Sequence, residues 1–300
     1  MGKQVIVLVG PTASGKTALA VQLSQKLAAP IINADSRQVY RELGVAVAKP
    51  SPAERAAAPH HLLDYVSIHE PYSAGRWSRD ARAKLAELFD AGSEYCIVSG
   101  GAGLHIRALL DGLPEMPAVA PEIRADVEQV FAKAGLPHLQ AEVKRLDPAY
   151  YAEVDAQNPH RLMRAIAVMR SSGQRFSALR KQAAKPLPYA TKWIILQPPR
   201  DELYSRINAR VDAMVQAGLE AEAATLYPHR DLDALNTIGY KEWWPYIEGG
   251  QSHERTVELV AQHSRQYARR QLTWNRKLTG LTLANPSIDA ATAFVTGTAQ

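Results

Sequence analysis

The sequence predicts an α/β protein in which a parallel sheet is flanked by helices, with a small all-helical insertion domain within the chain. Three observations lead to this prediction. Short apolar runs alternate with helical stretches up to about residue 113, helical segments without a convincing strand follow, and an apolar run returns near residue 193. Parallel strands need long crossover connections, which are usually helices, so this alternation favours a parallel sheet.

The predicted strands are short apolar runs, and the predicted helices carry apolar residues at helical spacing. The strands are Val5–Val9, Ile31–Ala34, Glu94–Ser99 and Trp193–Leu196. The helices are Thr17–Ala28, Trp77–Ala91 and Asp201–Ala217, and the chain from there to about Lys277 is also predicted to be helical. Beyond Asn285 no strong pattern indicates an element.

Prolines mark both ends of the segment that lacks strands. Pro114, Pro117 and Pro121 lie close together at its start, and Pro186 and Pro188 close it. We therefore expect residues 1–113 and 189–300 to form the core domain and residues 114–188 to form the helical insertion domain.

Composition places the chain among ordinary globular proteins, with 46% hydrophobic and 22% charged residues. The single cysteine, Cys96, lies in an apolar run, so we expect a buried thiol, no internal disulfide and a reducing, cytoplasmic setting. No run of about 18 apolar residues could span a membrane, and the N terminus lacks a signal-peptide pattern. Nothing signals a dimer interface, so a monomer is predicted.

Positive charge is concentrated in two segments that contain no acidic residue, within a net charge of +5. Their basic residues are Arg161, Arg164, Arg170, Arg175, Arg180 and Lys181 in the first segment, and Arg265, Arg269, Arg270, Arg276 and Lys277 in the second. Clusters of this kind are typical of proteins that bind polyanions, although the solvated faces of basic helices look similar.

One segment matches the phosphate-binding pattern G-x-x-x-x-G-K-[ST] in full, between a predicted buried strand and a helix. It comprises Gly10, Pro11, Thr12, Ala13, Ser14, Gly15, Lys16 and Thr17. The glycines permit a tight turn whose N–H groups point at phosphate oxygens, and the helix N terminus adds partial positive charge. Lys16 supplies a full charge, and the Thr17 hydroxyl can ligate Mg²⁺. The sequence thus predicts a P-loop NTPase-like fold, for which ATP or GTP is the usual ligand.

The position of the nearest acid argues against an ordinary ATPase. Such enzymes present an acid at the end of a later buried strand, where it positions Mg²⁺. Here that strand ends in Ser99, Gly100 and Gly101, whereas the acid that follows a strand is Asp35. Because the carboxyl ends of parallel strands line the binding crevice, we expect Asp35 to face the P-loop.

Six motifs, in chain order, carry a resemblance to a known family. They are GPTASGKT (Gly10–Thr17), NADSRQVY (Asn33–Tyr40), HHLLD (His60–Asp64), NPHRLMRAIAV (Asn158–Val168), TIGYKEWW (Thr237–Trp244) and RRQLTWNRK (Arg269–Lys277). Together they resemble the tRNA dimethylallyltransferases, from about Val5 to Lys277. The resemblance implies dimethylallyl diphosphate, held with Mg²⁺, as the donor. It also implies the tRNA anticodon stem-loop as the partner, with N6 of the adenosine 3′ to the anticodon as the acceptor.

The same resemblance implies the roles of individual residues. Asp35 would orient the adenine amine and accept its proton. Lys16, Thr17 and Arg210 would stabilise the leaving diphosphate, with Arg206 a weaker alternative to Arg210. Contacts with tRNA are implied for Asp35, Ser36, Arg37, Gln38, Ala102, Arg124, His160, Arg161, Leu162, Met163, Arg164, Arg270, Gln271, Trp274 and Arg276. For Trp274, a position in the core is equally open.

The chain departs from the family pattern after the third predicted strand, where Ala102 replaces the usual threonine and His105 the usual tyrosine. We expect a water or a neighbouring hydroxyl to replace the lost contact, or the contact to be dispensable. Two other functions stay open: prenylation of a free adenine nucleotide and a P-loop nucleotide kinase. The basic segments and the insertion argue against the first, and the missing second acid argues against the second.

Overall fold

The chain folds as two units in a computed structural model, which describes residues 2–114, 116–181 and 185–298. The core unit comprises Met1–Leu110 and Leu187–Gln300, and the helical unit comprises Asp111–Pro186. Over the described ranges, no helix is long and apolar enough to cross a membrane.

A parallel sheet of six strands forms the centre of the core unit. The strands are Gln4–Val9 (β1), Ile31–Asn33 (β2), His60–His61 (β3), Tyr95–Gly100 (β4), Ala190–Leu196 (β5) and Leu281–Leu283 (β6). They lie in the order β3-β2-β4-β1-β5-β6, so that β1 runs between β4 and β5. The predicted α/β class is confirmed, whereas the edge strands β3 and β6 were not predicted.

The helices are labelled in chain order across both units. They are Lys16–Leu27 (α1), Pro52–Ala57 (α2), Ala74–Asp90 (α3), Gly103–Leu110 (α4), Pro121–Leu146 (α5), Pro148–Glu153 (α6), Pro159–Ser172 (α7), Phe176–Arg180 (α8), Arg200–Gln216 (α9), Leu219–Leu226 (α10), Trp244–Ile247 (α11), His253–Asn275 (α12) and Ile288–Thr296 (α13). The helix α13 lies in the tail for which the sequence indicated no element.

Helices cover both faces of the sheet, and β1 is accordingly buried from Val5 to Val9. Val5, Val7 and Val9 pack with Trp77 of α3 on one face. Ile6 and Leu8 pack on the other face with residues of α1 and α13. Cys96 is buried in the first of these clusters, as predicted, and burial raises the pKa of its thiol to about 12. The strand that precedes the P-loop is therefore fixed from both sides.

The helical unit has its own apolar core and a buried polar contact at its centre. Asp147, fully buried, caps α6 by accepting a hydrogen bond from the backbone N–H of Tyr150 at 3.0 Å. It also accepts bonds from the backbone N–H and the hydroxyl of Ser177, at 2.7 and 2.8 Å. Burial alone would raise the pKa of Asp147, but these hydrogen bonds hold it below the usual value. They fix α6 against α8.

Candidate active site

The P-loop follows β1 and has the backbone geometry that its glycines permit. Gly15 has φ +86°, a left-handed conformation that other residues rarely adopt. A Cβ at Gly10 would lie 2.7 Å from the Ser14 hydroxyl and 2.9 Å from Leu196 Cβ. The buried Ser14 hydroxyl has no hydrogen-bond partner in the described part of the chain. Leaving such a group unsatisfied costs roughly 1–3 kcal/mol, and a phosphate oxygen in the loop would satisfy it.

A cavity of about 380 Å³ lies in the core unit beside the P-loop. Its polar lining comes from residues that follow different strands: Lys16 after β1, Asp35 after β2, and Gly101 after β4. Arg210 of α9 lines the same cavity. Lys16, Asp35 and Gly101 come together because β2, β4 and β1 are neighbours in the sheet and parallel strands end at the same edge.

Lys16 is held by the loop that contains it. Its Nζ donates hydrogen bonds to the carbonyl oxygens of Gly10 at 2.8 Å and Pro11 at 2.6 Å. Burial, and secondarily the positive charge of Arg210, lower the pKa of Lys16 to about 7, whereas Asp35 acts in the opposite direction. A cation that is costly to bury in this way is stabilised by an anionic ligand.

Arg210 is the second cation of the pocket. Burial lowers the pKa of its guanidinium, and the Asp35 carboxylate opposes that effect. Arg210 forms no hydrogen bond or ion pair with any described residue, so its donors are available to a ligand. Arg206 instead donates hydrogen bonds to Glu202 at 3.0 Å and Asn285 at 3.1 Å, and it does not line the pocket. The geometry therefore favours Arg210 over Arg206.

The Asp35 carboxylate is oriented through one of its two oxygens. Oδ1 accepts hydrogen bonds from the backbone N–H groups of Arg37 at 2.8 Å and Gln38 at 3.3 Å. Oδ2 accepts none from the residues that the structure describes. The turn thus fixes the carboxylate and leaves one oxygen in the pocket for a proton donor.

The side chains of Arg37 and Gln38 donate hydrogen bonds to backbone segments that line the pocket. The Arg37 guanidinium donates to the carbonyl oxygens of Asp233 and Asn236, at 2.8 and 3.0 Å, and to that of Ala234. The Gln38 amide donates to the carbonyl oxygens of residues 47 and 48, both at 3.0 Å. Both were predicted to contact the RNA, but their side-chain donors are used within the protein. Ser36 lines the pocket.

Two predicted tRNA contacts near the end of α12 also have partners inside the protein. Gln271 is buried; its Oε1 accepts from the Thr12 N–H at 2.9 Å and its Nε2 donates to the Gly101 carbonyl at 3.2 Å. Trp274 packs against Gly103, where a Cβ would lie 2.7 Å from the ring, and its ring centroid is 6.3 Å from that of Trp193. Of the two roles left open for Trp274, this position favours the core.

The remaining predicted contacts of the core unit have different environments. Arg270 and Arg276 are exposed. Ala102 precedes α4, and its N–H donates to the Ala34 carbonyl at 3.3 Å.

His105, which stands where the family usually has tyrosine, packs on Trp77 with ring centroids 5.3 Å apart. Burial lowers the pKa of its imidazole to about 4. The imidazole is therefore neutral at physiological pH.

The basic segment of the helical unit is only partly available to a polyanion. His160, Arg161, Arg164 and also Arg124 of α5 are exposed. Met163 is partly buried, whereas Leu162 is fully buried in the core of the unit, so its side chain is not exposed to a ligand.

Acidic partners from elsewhere in the helical unit neutralise two arginines of this segment. Arg170 pairs with Glu142 at 2.8 Å and Asp126 at 2.5 Å, and Arg180 pairs with Glu153 at 3.4 Å. No acidic residue lies within the segment itself, but acids from other helices of the unit lie next to two of its arginines.

Tyr267 of α12 lines the pocket, Glu222 supports a loop that lines it, and neither was in the predicted site. Burial, with the nearby Asp35 charge, raises the pKa of the Tyr267 phenol to about 12. Glu222 lies behind the wall, where it accepts hydrogen bonds from the backbone N–H of Val45 at 2.7 Å, that of Ala46 at 3.1 Å and the Tyr240 hydroxyl at 2.6 Å. The spacing of Tyr267, four residues before Gln271, was the available signal for the first.

The donor set of the pocket fits a magnesium ion that arrives with a phosphate ligand. Within the described residues, no group of three or more His, Cys, Asp or Glu side chains could hold a metal alone. Thr17 lines the pocket next to Lys16. Mg²⁺ is typically held by one or two side chains, substrate phosphates and several waters, so one hydroxyl beside a phosphate site suits it.

The parallel sheet, and the pocket where Lys16 of the P-loop and Arg210 meet, define an α/β protein with a P-loop-like fold. A family model described as IPP transferase matches residues 38–278. The chain is 42% identical over 277 residues to the tRNA dimethylallyltransferase of Cytophaga hutchinsonii, which covers 92% of this chain and 91% of that one. The corresponding enzyme of Christiangramia forsetii is 40% identical over 277 residues. The chain belongs to the IPP transferase family.

Solved structures agree with this assignment. The full-length tRNA isopentenylpyrophosphate transferase of Bacillus halodurans superposes with a TM-score of 0.73 at 30% identity, over 98% of this chain and 96% of that one. A eukaryotic dimethylallyltransferase acting on tRNA gives a TM-score of 0.80 over 95% of this chain and 74% of that one. Its 24% identity bears on the fold alone. The family resemblance carried by the six motifs is confirmed.

Proposed function

We propose that this enzyme transfers a dimethylallyl group from dimethylallyl diphosphate to N6 of the adenosine 3′ to the anticodon in tRNA. The observation that carries the proposal is the meeting of Lys16, Arg210 and Asp35 in one pocket beside the P-loop. Two cations suit a diphosphate, and a carboxylate suits the acceptance of a proton. Relatives named tRNA dimethylallyltransferases, at 36–42% identity over most of the chain, support the same activity.

The P-loop end of the pocket binds the diphosphate of the donor. The backbone N–H groups of the loop and the Ser14 hydroxyl contact phosphate oxygens, and Lys16 and Arg210 neutralise their charge. As the bond between C1 of the prenyl group and the phosphate oxygen breaks, its electron pair stays on the diphosphate. Thr17 would hold Mg²⁺ with the diphosphate, and the ion would supply further stabilisation of the charge on the leaving group.

Asp35 acts on the acceptor. The exocyclic N6 amine of adenine is a weak nucleophile, because its lone pair is conjugated with the ring. Oδ2 of Asp35 accepts a hydrogen bond from N6, which orients the amine toward C1. The carboxylate takes one N6 proton as the N6–C1 bond forms. The products are N6-dimethylallyladenosine in the tRNA, free diphosphate and a proton that Asp35 returns to solvent.

The adenosine reaches the pocket as part of an RNA. Proteins that modify a base take it out of its stack, and unpaired loop bases are the most accessible. Exposed basic side chains of each unit, Arg161 and Arg164 in the helical unit and Arg270 and Arg276 in the core unit, supply phosphate contacts. With tRNA as the substrate, we propose that the protein acts as a monomer in the cytoplasm.

A competition assay separates this proposal from the two alternative functions. The enzyme, labelled dimethylallyl diphosphate and Mg²⁺ are incubated with equal concentrations of unmodified tRNA and AMP, and label is measured in each acceptor. We expect label in tRNA alone. Label in AMP would favour prenylation of a free nucleotide. In a parallel reaction that also contains ATP, transfer or release of its phosphate in place of prenyl transfer would favour a kinase or ATPase. A protein with Asp35→Asn serves as the control for enzyme-dependent transfer.

A further inference from the structure

The pocket beside the P-loop is built along two antiparallel helices, and this gives it a direction. Leu203 and Ile207, early in α9, pack with Ala268 and Leu272, late in α12. Arg265 of α12 donates a hydrogen bond to Asn208 of α9 at 2.6 Å. Both helices line the pocket at helical spacing: Ile207, Arg210, Val211 and Met214 from α9, and Val260, Ser264, Tyr267, Arg270 and Gln271 from α12.

One end of the helix pair lies at the P-loop and is polar. Gln271 accepts the hydrogen bond of the Thr12 N–H there, and Ala13 of the P-loop packs against the cluster that contains Leu203. At the other end the pocket residues of the helix pair are apolar, since Met214 is the last pocket residue of α9 and Val260 is the first of α12. With a rise of about 1.5 Å per residue, Met214 lies roughly 6 Å along α9 from Arg210.

The wall at the apolar end is fixed in place. Ala46 and Val47 line the pocket and pack against the same core as Met214. Glu222 holds this loop by accepting the N–H groups of residues 45 and 46. Gly239, with φ +99°, lies directly on it, since a Cβ there would be 2.8 Å from Ala46 Cβ. A wall fixed by backbone hydrogen bonds leaves the flexible Met214 side chain to define how far a ligand extends.

We propose that Met214 determines the length of the prenyl group that the pocket accepts. The inference rests on the proposed function, with the diphosphate between Lys16 and Arg210. In a dimethylallyl group, C1 and the terminal methyl carbons are separated by three carbon–carbon bonds of roughly 1.5 Å each. Met214 lies roughly 6 Å along α9 from Arg210, so a prenyl group of this length ends before the Met214 side chain. A second isoprene unit would overlap that side chain. The residue thus selects a five-carbon donor over a ten-carbon one.

The test compares two donors on the same tRNA. Wild-type enzyme and Met214→Ala are assayed with dimethylallyl diphosphate and with geranyl diphosphate. We expect the ratio of kcat/KM for geranyl to that for dimethylallyl transfer to rise at least about tenfold in the variant. Val215→Ala is the matched control, because Val215 is adjacent and packs on the core but does not line the pocket. Its donor ratio should equal that of the wild type.

The outcomes distinguish this inference from the function on which it rests. An unchanged donor ratio in a Met214→Ala enzyme that still transfers dimethylallyl groups would overturn the role of Met214, as would a wild-type enzyme that uses both donors equally. Absence of transfer to tRNA by the wild type would instead refute the proposed function. If Met214→Ala does not fold, Met214→Phe gives the complementary reading: a shortened pocket should lower kcat/KM for the five-carbon donor, and unchanged kcat/KM would contradict the proposal.

Discussion

The Asp35 carboxylate raises the pKa of the Lys16 ammonium within one pocket, although the two residues follow different strands of the sheet. Burial and the charge of Arg210 act in the opposite direction and bring the pKa of Lys16 to about 7. The P-loop end of the pocket therefore favours an anion, and the carboxylate beside it keeps one oxygen for the acceptor amine.

Affinity for the donor should fall as the pH rises above about 7. With a pKa of about 7, Lys16 of the ligand-free enzyme is half deprotonated near pH 7 and almost fully neutral by about pH 9. A neutral amine binds diphosphate less well. For each pH unit above this pKa, the affinity for dimethylallyl diphosphate is expected to fall by up to about tenfold. Calorimetric titration with dimethylallyl diphosphate measures this. Lys16→Met is the control, since ionisation of the ligand affects both proteins alike; parallel curves for the two would contradict the role of Lys16.

Asp35→Asn should lower kcat by about 10²–10⁴-fold, which is the usual contribution of a general base. The amide oxygen can still accept the N–H bonds of Arg37 and Gln38, so the turn should persist and the Kd for tRNA should stay unchanged. Steady-state transfer at saturating substrate measures kcat, and filter binding measures the Kd. A variant with wild-type kcat would remove Asp35 from the chemistry.

Gln271→Ala should weaken the fold more than it weakens RNA binding. The Gln271 amide joins Thr12 of the P-loop to Gly101 after β4, and both bonds are partly buried. Their loss should lower the free energy of unfolding by roughly 1–3 kcal/mol, as measured by denaturant titration. Thr273→Ala is the control, because among the described residues its hydroxyl bonds to the Arg269 carbonyl alone, within α12. Weaker tRNA binding at unchanged stability would instead favour a direct contact with RNA.

Gly100→Ala should disturb the Asp35 side of the pocket. A Cβ at Gly100 would lie 2.1 Å from the Ala34 carbonyl oxygen, so the backbone immediately before Asp35 must move. Overpacking of this kind typically costs about 1–3 kcal/mol, and we expect kcat to fall as well. Gly250→Ala offers a comparison, since a Cβ there would meet only the Pro245 carbonyl at 3.5 Å. Equal melting temperatures and rates for the two variants would refute the expected clash.

Arginines of the helical unit should differ in their effect on the salt dependence of tRNA binding. Arg161 and Arg164 are exposed and unpaired within the described chain, whereas Arg170 already pairs with Glu142 and Asp126. Alanine at either of the first two should make the slope of log K against log salt less steep by about 0.7–0.9, as one phosphate contact is lost. Arg170→Ala should leave the slope unchanged but lower stability. Equal slopes for all three would contradict the assignment.

Local patterns predicted the parts of the fold that depend on local physics. The apolar run of β1, the P-loop after it and the position of Asp35 at a strand end follow from hydrophobicity and from the turn that glycine permits. The strand β3 has two residues and β6 has three, so neither is long enough to show a period in sequence. Their places at the sheet edges depend on pairing with residues far along the chain.

The partners of polar side chains were not predictable in the same way. Arg37 bonds to carbonyls almost 200 residues later, and Gln271 joins segments about 170 and 259 residues earlier. The acids that pair with Arg170 lie in α5, outside the acid-free segment. The residue type of a basic or amide side chain does not show whether it contacts RNA or a distant loop of the protein. Only the tertiary structure distinguishes these two roles.

Mass spectrometry of nucleosides from unmodified tRNA, after incubation with the protein, dimethylallyl diphosphate and Mg²⁺, tests the proposed activity most directly. The account predicts one dimethylallyl group, on N6 of the adenosine 3′ to the anticodon, and none with Asp35→Ala. The tRNA dimethylallyltransferase of Cytophaga hutchinsonii serves as the positive control on the same tRNA. An unmodified adenosine with this protein, on a tRNA that the control enzyme modifies, would contradict the account.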